Sequence, residues 1–136
     1  MGGNRKIIRK QLFTVLFVYG SMVMLETIFP GLAEISEGVP AWDDEERPWS
    51  ILGNSANNLI GQIIEKSSGD EGIFIHPTAE IGEFVRIEGP CYIGPGAKIR
   101  HSAYLRKGSW ICEYAMVGHS TEIKNSVLLP RSKAPH

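Results

Sequence analysis

The sequence predicts an all-β solenoid, a short strand and turn repeated every six residues, behind a partly helical N-terminal arm. Three observations predict it. From Ile75, every sixth residue is a branched aliphatic: Ile75, Ile81, Ile87, Ile93, Ile99, Leu105, Ile111, Val117 and Ile123. The fifth place of each hexad is small or modest in size: Ala79, Val85, Cys91, Ala97, Ala103, Ser109, Ala115, Thr121 and Val127. Gly82, Gly94 and Gly118 directly follow their aliphatics. An α-helix turns once in about 3.6 residues, so it cannot keep every sixth residue on one face. Three strand-and-turn hexads can close a triangular coil with the aliphatic and the small residue inward, a known repeat architecture.

The solenoid is expected over residues 73–136, about three and a half coils, with the arm over residues 1–72. In the arm, Pro30 breaks an apolar, partly helical stretch, and "GLAEIS" is a candidate further turn of helix. Pro40, "DDEE" and Pro48 mark a loop. Trp42 and Trp49 are read as anchors of that loop on apolar surface rather than as sugar-stacking aromatics. Leu52, Ala56, Leu59, Ile60, Ile63 and Ile64 then recur at helical spacing until "KSSGDEG" interrupts them.

Bulk composition narrows the function. A net charge of −1 gives no nucleic-acid signal, and 43% apolar residues suffice for a core. Cys91 and Cys112 form no C-x-x-C pair, so a reducing cytoplasm is the expected setting. The N-terminus offers an alternative. Arg5, Lys6, Arg9 and Lys10 precede a charge-free run from Leu12 to Leu25, the order seen in a secretory signal or anchor. No small-x-small cleavage site follows, and the run is short for a membrane span, so a buried segment is expected there.

The count of six slips near the end. Continued unchanged, it puts Lys133 at the small inward place, a buried unpaired charge at a cost of several kcal/mol. One five-residue hexad removes the conflict: Leu128 becomes the aliphatic, Ser132 the small residue, and Ala134 opens the next hexad. Stacked coils then place Arg106 and Lys124 in one column, with Glu88 a coil earlier as the expected partner of Arg106. A bound anion would satisfy both cations, whereas a solvated pair would splay apart. His101, His119 and, after the slip, His136 form a second column on another face. Stacked histidines invite a metal, but the paired histidines five apart found in zinc-dependent lyases of this type are absent, so no metal is expected.

The register resembles the hexapeptide-repeat family, whose fold is a left-handed parallel β-helix; the hand is what the resemblance implies. Within it, "LRKG" at Leu105–Gly108, "VGHSTEIK" at Val117–Lys124 and "SKAPH" at Ser132–His136 resemble one group in particular. That group comprises the acetyltransferase domain of bifunctional N-acetylglucosamine-1-phosphate uridylyltransferases and related sugar-nucleotidyltransferase-like proteins. Its pattern is L-R-x-G, V-G-x-x-x-E-x-K and S-K-x-x-H, with a shortened hexad between the last two. The resemblance implies that Arg106 and Lys124 hold a sugar phosphate. It implies that His136 is the general base for an amine attacking acetyl-CoA.

The residue types suit those roles. Arginine offers a forked donor to phosphate, lysine a compact charge, and imidazole a base that works near neutrality. The resemblance further implies an amino-sugar phosphate or sugar nucleotide as ligand and a homotrimer as assembly. Family coils that follow the base, and carry the acetyl-CoA groove, have no counterpart after His136, so an incomplete active site is expected. A non-catalytic module that trimerises or binds a sugar nucleotide is the alternative.

Overall fold

The computed structural model describes residues 25–32, 38–42 and 47–136. "GLAEIS" beyond Leu32, the "DDEE" run and the apolar run before Leu25 lie outside the described residues. Among the described residues no helix is long and apolar enough to cross a membrane.

Among the described residues, eleven short strands, from β1 (Ile73–Ile75) to β11 (Lys133–Ala134), make three complete coils and two strands of a fourth. They stack as three parallel sheets, in the orders β1-β4-β7-β10, β2-β5-β8-β11 and β3-β6-β9. This is the parallel β-solenoid the hexads predicted, in agreement with the left-handed β-helix that the resemblance implied. The aliphatic and small places point inward, and Ile93, Ala97, Ala103, Leu105, Ile111, Ala115 and Val117 are fully buried. Ser109 and Thr121 are the buried polar residues among the described ones, and the Ser109 hydroxyl lies within hydrogen-bond reach of the Arg106 and Ile123 carbonyls.

Partners through most of the solenoid are eighteen residues apart, as in Tyr92 (β4, Cys91–Ile93) beside Trp110 (β7, Ser109–Ile111). In the last coil they are seventeen apart. β10 (Ser126–Leu128) sets Leu128 beside Ile111, and β11 sets Ala134 beside Val117 (β8, Met116–Val117). Leu128 and Ala134 therefore take the aliphatic places that the shortened hexad assigned them. Val127 departs from the expectation. The residue is dropped between Ile123 and Ser126, so Ser126 pairs with Ser109 and Val127 lies beside Trp110 on the outside of the coil. A medium-sized apolar side chain is used there to cover Trp110.

The arm packs along one flank. Phe74, Tyr92 and Trp110, one per coil, stack on the outer face of the first sheet at centroid distances of 5.1 and 4.3 Å. Helix α2 (Leu59–Lys66), whose N-cap Asn58 side chain accepts from Gly61 N–H at 2.8 Å, buries Leu59 and Ile63 against that ladder. It is shorter than the predicted periodicity, because Leu52 closes a separate 3-10 turn (Pro48–Leu52). A short helix α1 (Leu25–Ile28) ends before Pro30. Trp42 anchors the loop as expected, donating its indole N–H to the Pro48 carbonyl at 2.8 Å. Trp49 does not, since it is 55% exposed.

The solenoid's first coil is open at its end. Ile75 and Ile81 are each about two-fifths exposed, because α2 lies on the flank rather than across the base.

Candidate functional site

The third sheet, like the second, is left uncovered by the arm. Its outward side chains are Arg86 of β3 (Arg86–Ile87), Tyr104 of β6 (Tyr104–Leu105) and Glu122 of β9 (Glu122–Ile123). Each strand enters this face from the histidine corner and leaves it at the corner carrying Glu88, Arg106 and Lys124. Arg106 and Lys124 thus border one edge of the face, and His101, His119 and His136 border the other.

At the first edge the turn "LRKG" closes through Gly108, whose φ of 80° favours glycine and whose missing Cβ leaves room for Asn125. Arg106 is half-buried there. Its Nη1 donates to Glu122 Oε1 at 2.7 Å, and its guanidinium carbon lies 5.6 Å from the Tyr104 ring centre. Arg86 approaches the same ring at 5.3 Å. The Tyr104 hydroxyl donates to Glu88 at 2.6 Å, and Glu88 also pairs with Arg86 at 2.8 Å.

The expected pairing of Glu88 with Arg106 is therefore corrected. Glu88 is taken by Tyr104 and Arg86, while Glu122, a diagonal neighbour from the next coil, takes Arg106. The titrations follow these contacts. The Tyr104 hydroxyl bond, opposed by desolvation and aided by Arg86, holds the Glu88 carboxyl below its ordinary value. The Glu122 bond raises the Arg106 guanidinium further above its already high value. Lys124 is exposed, and its ammonium makes no ion pair with any described residue.

At the second edge the column forms as the shortened hexad requires. His101 and His119 stack with centroids 5.4 Å apart, and His136 continues the stack another 5.4 Å on. The last step depends on Gly118, since a Cβ there would lie 1.7 Å from the Pro135 carbonyl oxygen. The first two rings are stacked, at 21° between their planes, and the third is tilted by 36° from its neighbour. Among the described residues no group of three or more His, Cys, Asp or Glu is arranged to hold a metal ion. No hydrogen bond or ion pair joins His136 to Arg106 or Lys124.

Both thiols are buried. Burial pushes each up to about 12, too weakly acidic for a nucleophilic role. Tyr104 and Glu122 carry much of the site's geometry, and the column reading of the sequence did not weigh them. The signal that could have found them is their sixth-place position, one residue before an inward aliphatic and so directed outward.

A six-residue register, three parallel sheets and a buried aliphatic prism define the class: the chain is a hexapeptide-repeat solenoid with the left-handed β-helix fold. It is similar to two curated relatives, both described as bifunctional protein GlmU. That of Methanococcus vannielii is 38% identical over 110 residues, covering 70% of this chain and 25% of the relative. That of Methanococcus aeolicus is 32% identical over 113 residues, with the same coverage of 70% and 25%. The chain spans about a quarter of the length of the curated relatives it matches. No family model matches it, and no solved structure does.

Proposed function

We propose that the chain acts in sugar-phosphate N-acetyl transfer, of the type that acetylates glucosamine 1-phosphate in UDP-N-acetylglucosamine synthesis. The observation that carries this reading is the seventeen-residue register of the last coil, which sets His136 on the histidine column across the bare face from Arg106 and Lys124. In this reading the arginine fork and the lysine ammonium hold the phosphate. The sugar amine attacks the thioester carbonyl of acetyl-CoA, the carbon–sulfur bond breaks, and the thiolate leaves. His136 accepts the proton that the amine loses.

The functional unit is the β-helix over residues 73–136, with residues 1–72 as its flanking arm. In this reading acetyl-CoA is the co-substrate. The assembly is a homotrimer, and two observations support where its contacts lie. The arm covers the first sheet, and the outer faces of the other two remain open to a second copy.

Calorimetric titration of the chain with glucosamine 1-phosphate tests the ligand. Binding that falls at least tenfold in both Arg106→Ala and Lys124→Ala is expected, each change removing a charge-assisted phosphate contact. Unaltered binding in both variants would contradict the site. For the native full-length protein, release of free CoA thiol should fall by about a hundredfold or more in His136→Ala. Binding without any acetyl transfer would favour a non-catalytic sugar-nucleotide-binding module.

A further inference from the structure

We propose that Glu122 and Tyr104 are positioning residues that pre-set the Arg106 guanidinium for phosphate, an inference that rests on the phosphate-holding reading of Arg106. The geometry points to a division of labour between the two cations. A free arginine side chain samples many rotamers, and a ligand that freezes it bears that entropy. Arg106 is already fixed from two sides. Arg106 Nη1 donates to Glu122 at 2.7 Å, and the guanidinium carbon lies over the Tyr104 ring, 5.6 Å from its centre. Tyr104 is itself fixed through its hydroxyl by Glu88.

Glu122 engages only the Nη1 corner of the fork, and no described residue bonds Nε or Nη2. Those two nitrogens form the edge that matches two oxygens of a phosphate. Glu122 therefore holds the guanidinium without occupying its bidentate edge. Lys124 has no such support, and its rotatable ammonium needs none to act as a point charge.

The opposite role is also physically possible. A carboxylate beside a phosphate site repels an incoming anion and can compete with it for the arginine. The two roles predict opposite signs. As a positioning residue, Glu122 replaced by alanine weakens binding; as a competitor, it tightens binding.

The experiment is calorimetric titration of the full chain with glucosamine 1-phosphate, with inorganic phosphate as a second probe. Glu122→Ala is expected to weaken binding about tenfold, with Glu122→Gln intermediate because its amide oxygen still accepts from Nη1. Tyr104→Leu should weaken binding by a smaller factor than Glu122→Ala. In an Arg106→Lys background, which has no fork to orient, Glu122→Ala should change the affinity less than twofold. A purely structural role for Glu122 would lower binding equally in both backgrounds and would overturn the proposal. Unchanged or tighter binding in Glu122→Ala, with Arg106→Ala still weak, would overturn it and leave the phosphate reading standing. Unaltered binding in Arg106→Ala would remove both.

Discussion

Two outer faces of the same prism, built on the same register, have opposite fates. On the first sheet the outward places are Phe74, Tyr92, Trp110 and Val127, and the arm buries them with Ile51, Leu59 and Ile63. On the third sheet they are Arg86, Tyr104 and Glu122, tied into an exposed lattice of ion pairs and ring contacts. The inward residues of the two faces are interchangeable aliphatics and small residues. What separates a structural face from a candidate binding face is therefore the outward places alone. Apolar area removed from water stabilises the first face, while exposed ion pairs contribute little stability to the third and leave its charges available.

The largest expected effect lies on the covered face. Trp110 is fully buried, is stacked on Tyr92, and donates its indole N–H to the Gly38 carbonyl at 2.8 Å. Trp110→Ala should cost about 3–5 kcal/mol in urea denaturation. Tyr104→Ala, on the bare face, should leave the midpoint nearly unchanged. Equal losses at the two positions would erase the contrast.

A smaller loss is expected at Gly118, where added bulk forces the last coil away. Gly118→Ala should cost about 1–3 kcal/mol, the range for overpacking. Hydrogen exchange should lose protection at the Met116 and Gly118 amides, which donate to Ser132 and Ala134, before the Trp110 face is affected. Uniform loss of protection would mean that the last coil is not the weak unit.

The smallest effect concerns pH. The Glu88 carboxyl is held low in the folded state, chiefly by the Tyr104 hydroxyl. A depressed carboxylate contributes stability that is present above its unfolded value and lost as pH falls through its folded value. Tyr104→Phe should therefore be slightly less stable than the wild type at neutral pH and indistinguishable from it below the folded carboxylate range. A difference that persisted in acid would assign the effect to packing instead of to the hydrogen bond.

Much of the prism was legible because burial enforces it. A core position tolerates only small or aliphatic groups, so nine aliphatics at one spacing leave a plain trace. The slip was legible for the same reason, since Lys133 could not be inward. Val127 was misplaced because valine fits both inside the prism and against Trp110, and size alone does not choose between them. Column stacking put Arg106 and Lys124 on one edge of the face, but it did not give the partner of Arg106. Glu122 reaches it diagonally from the next coil, which a column count ignores. The covering of the first sheet went unread although Phe74, Tyr92 and Trp110 repeat at the coil spacing, and Trp49 shows that an aromatic in a loop need not anchor it.

The most direct test of this contrast is amide and indole NMR of the chain titrated with glucosamine 1-phosphate. The expected result is a set of saturable shifts at Tyr104, Arg106, Glu122 and Lys124, with the Trp110 indole unmoved. Shifts centred on the Trp110 face, or none on either face at millimolar ligand, would contradict it.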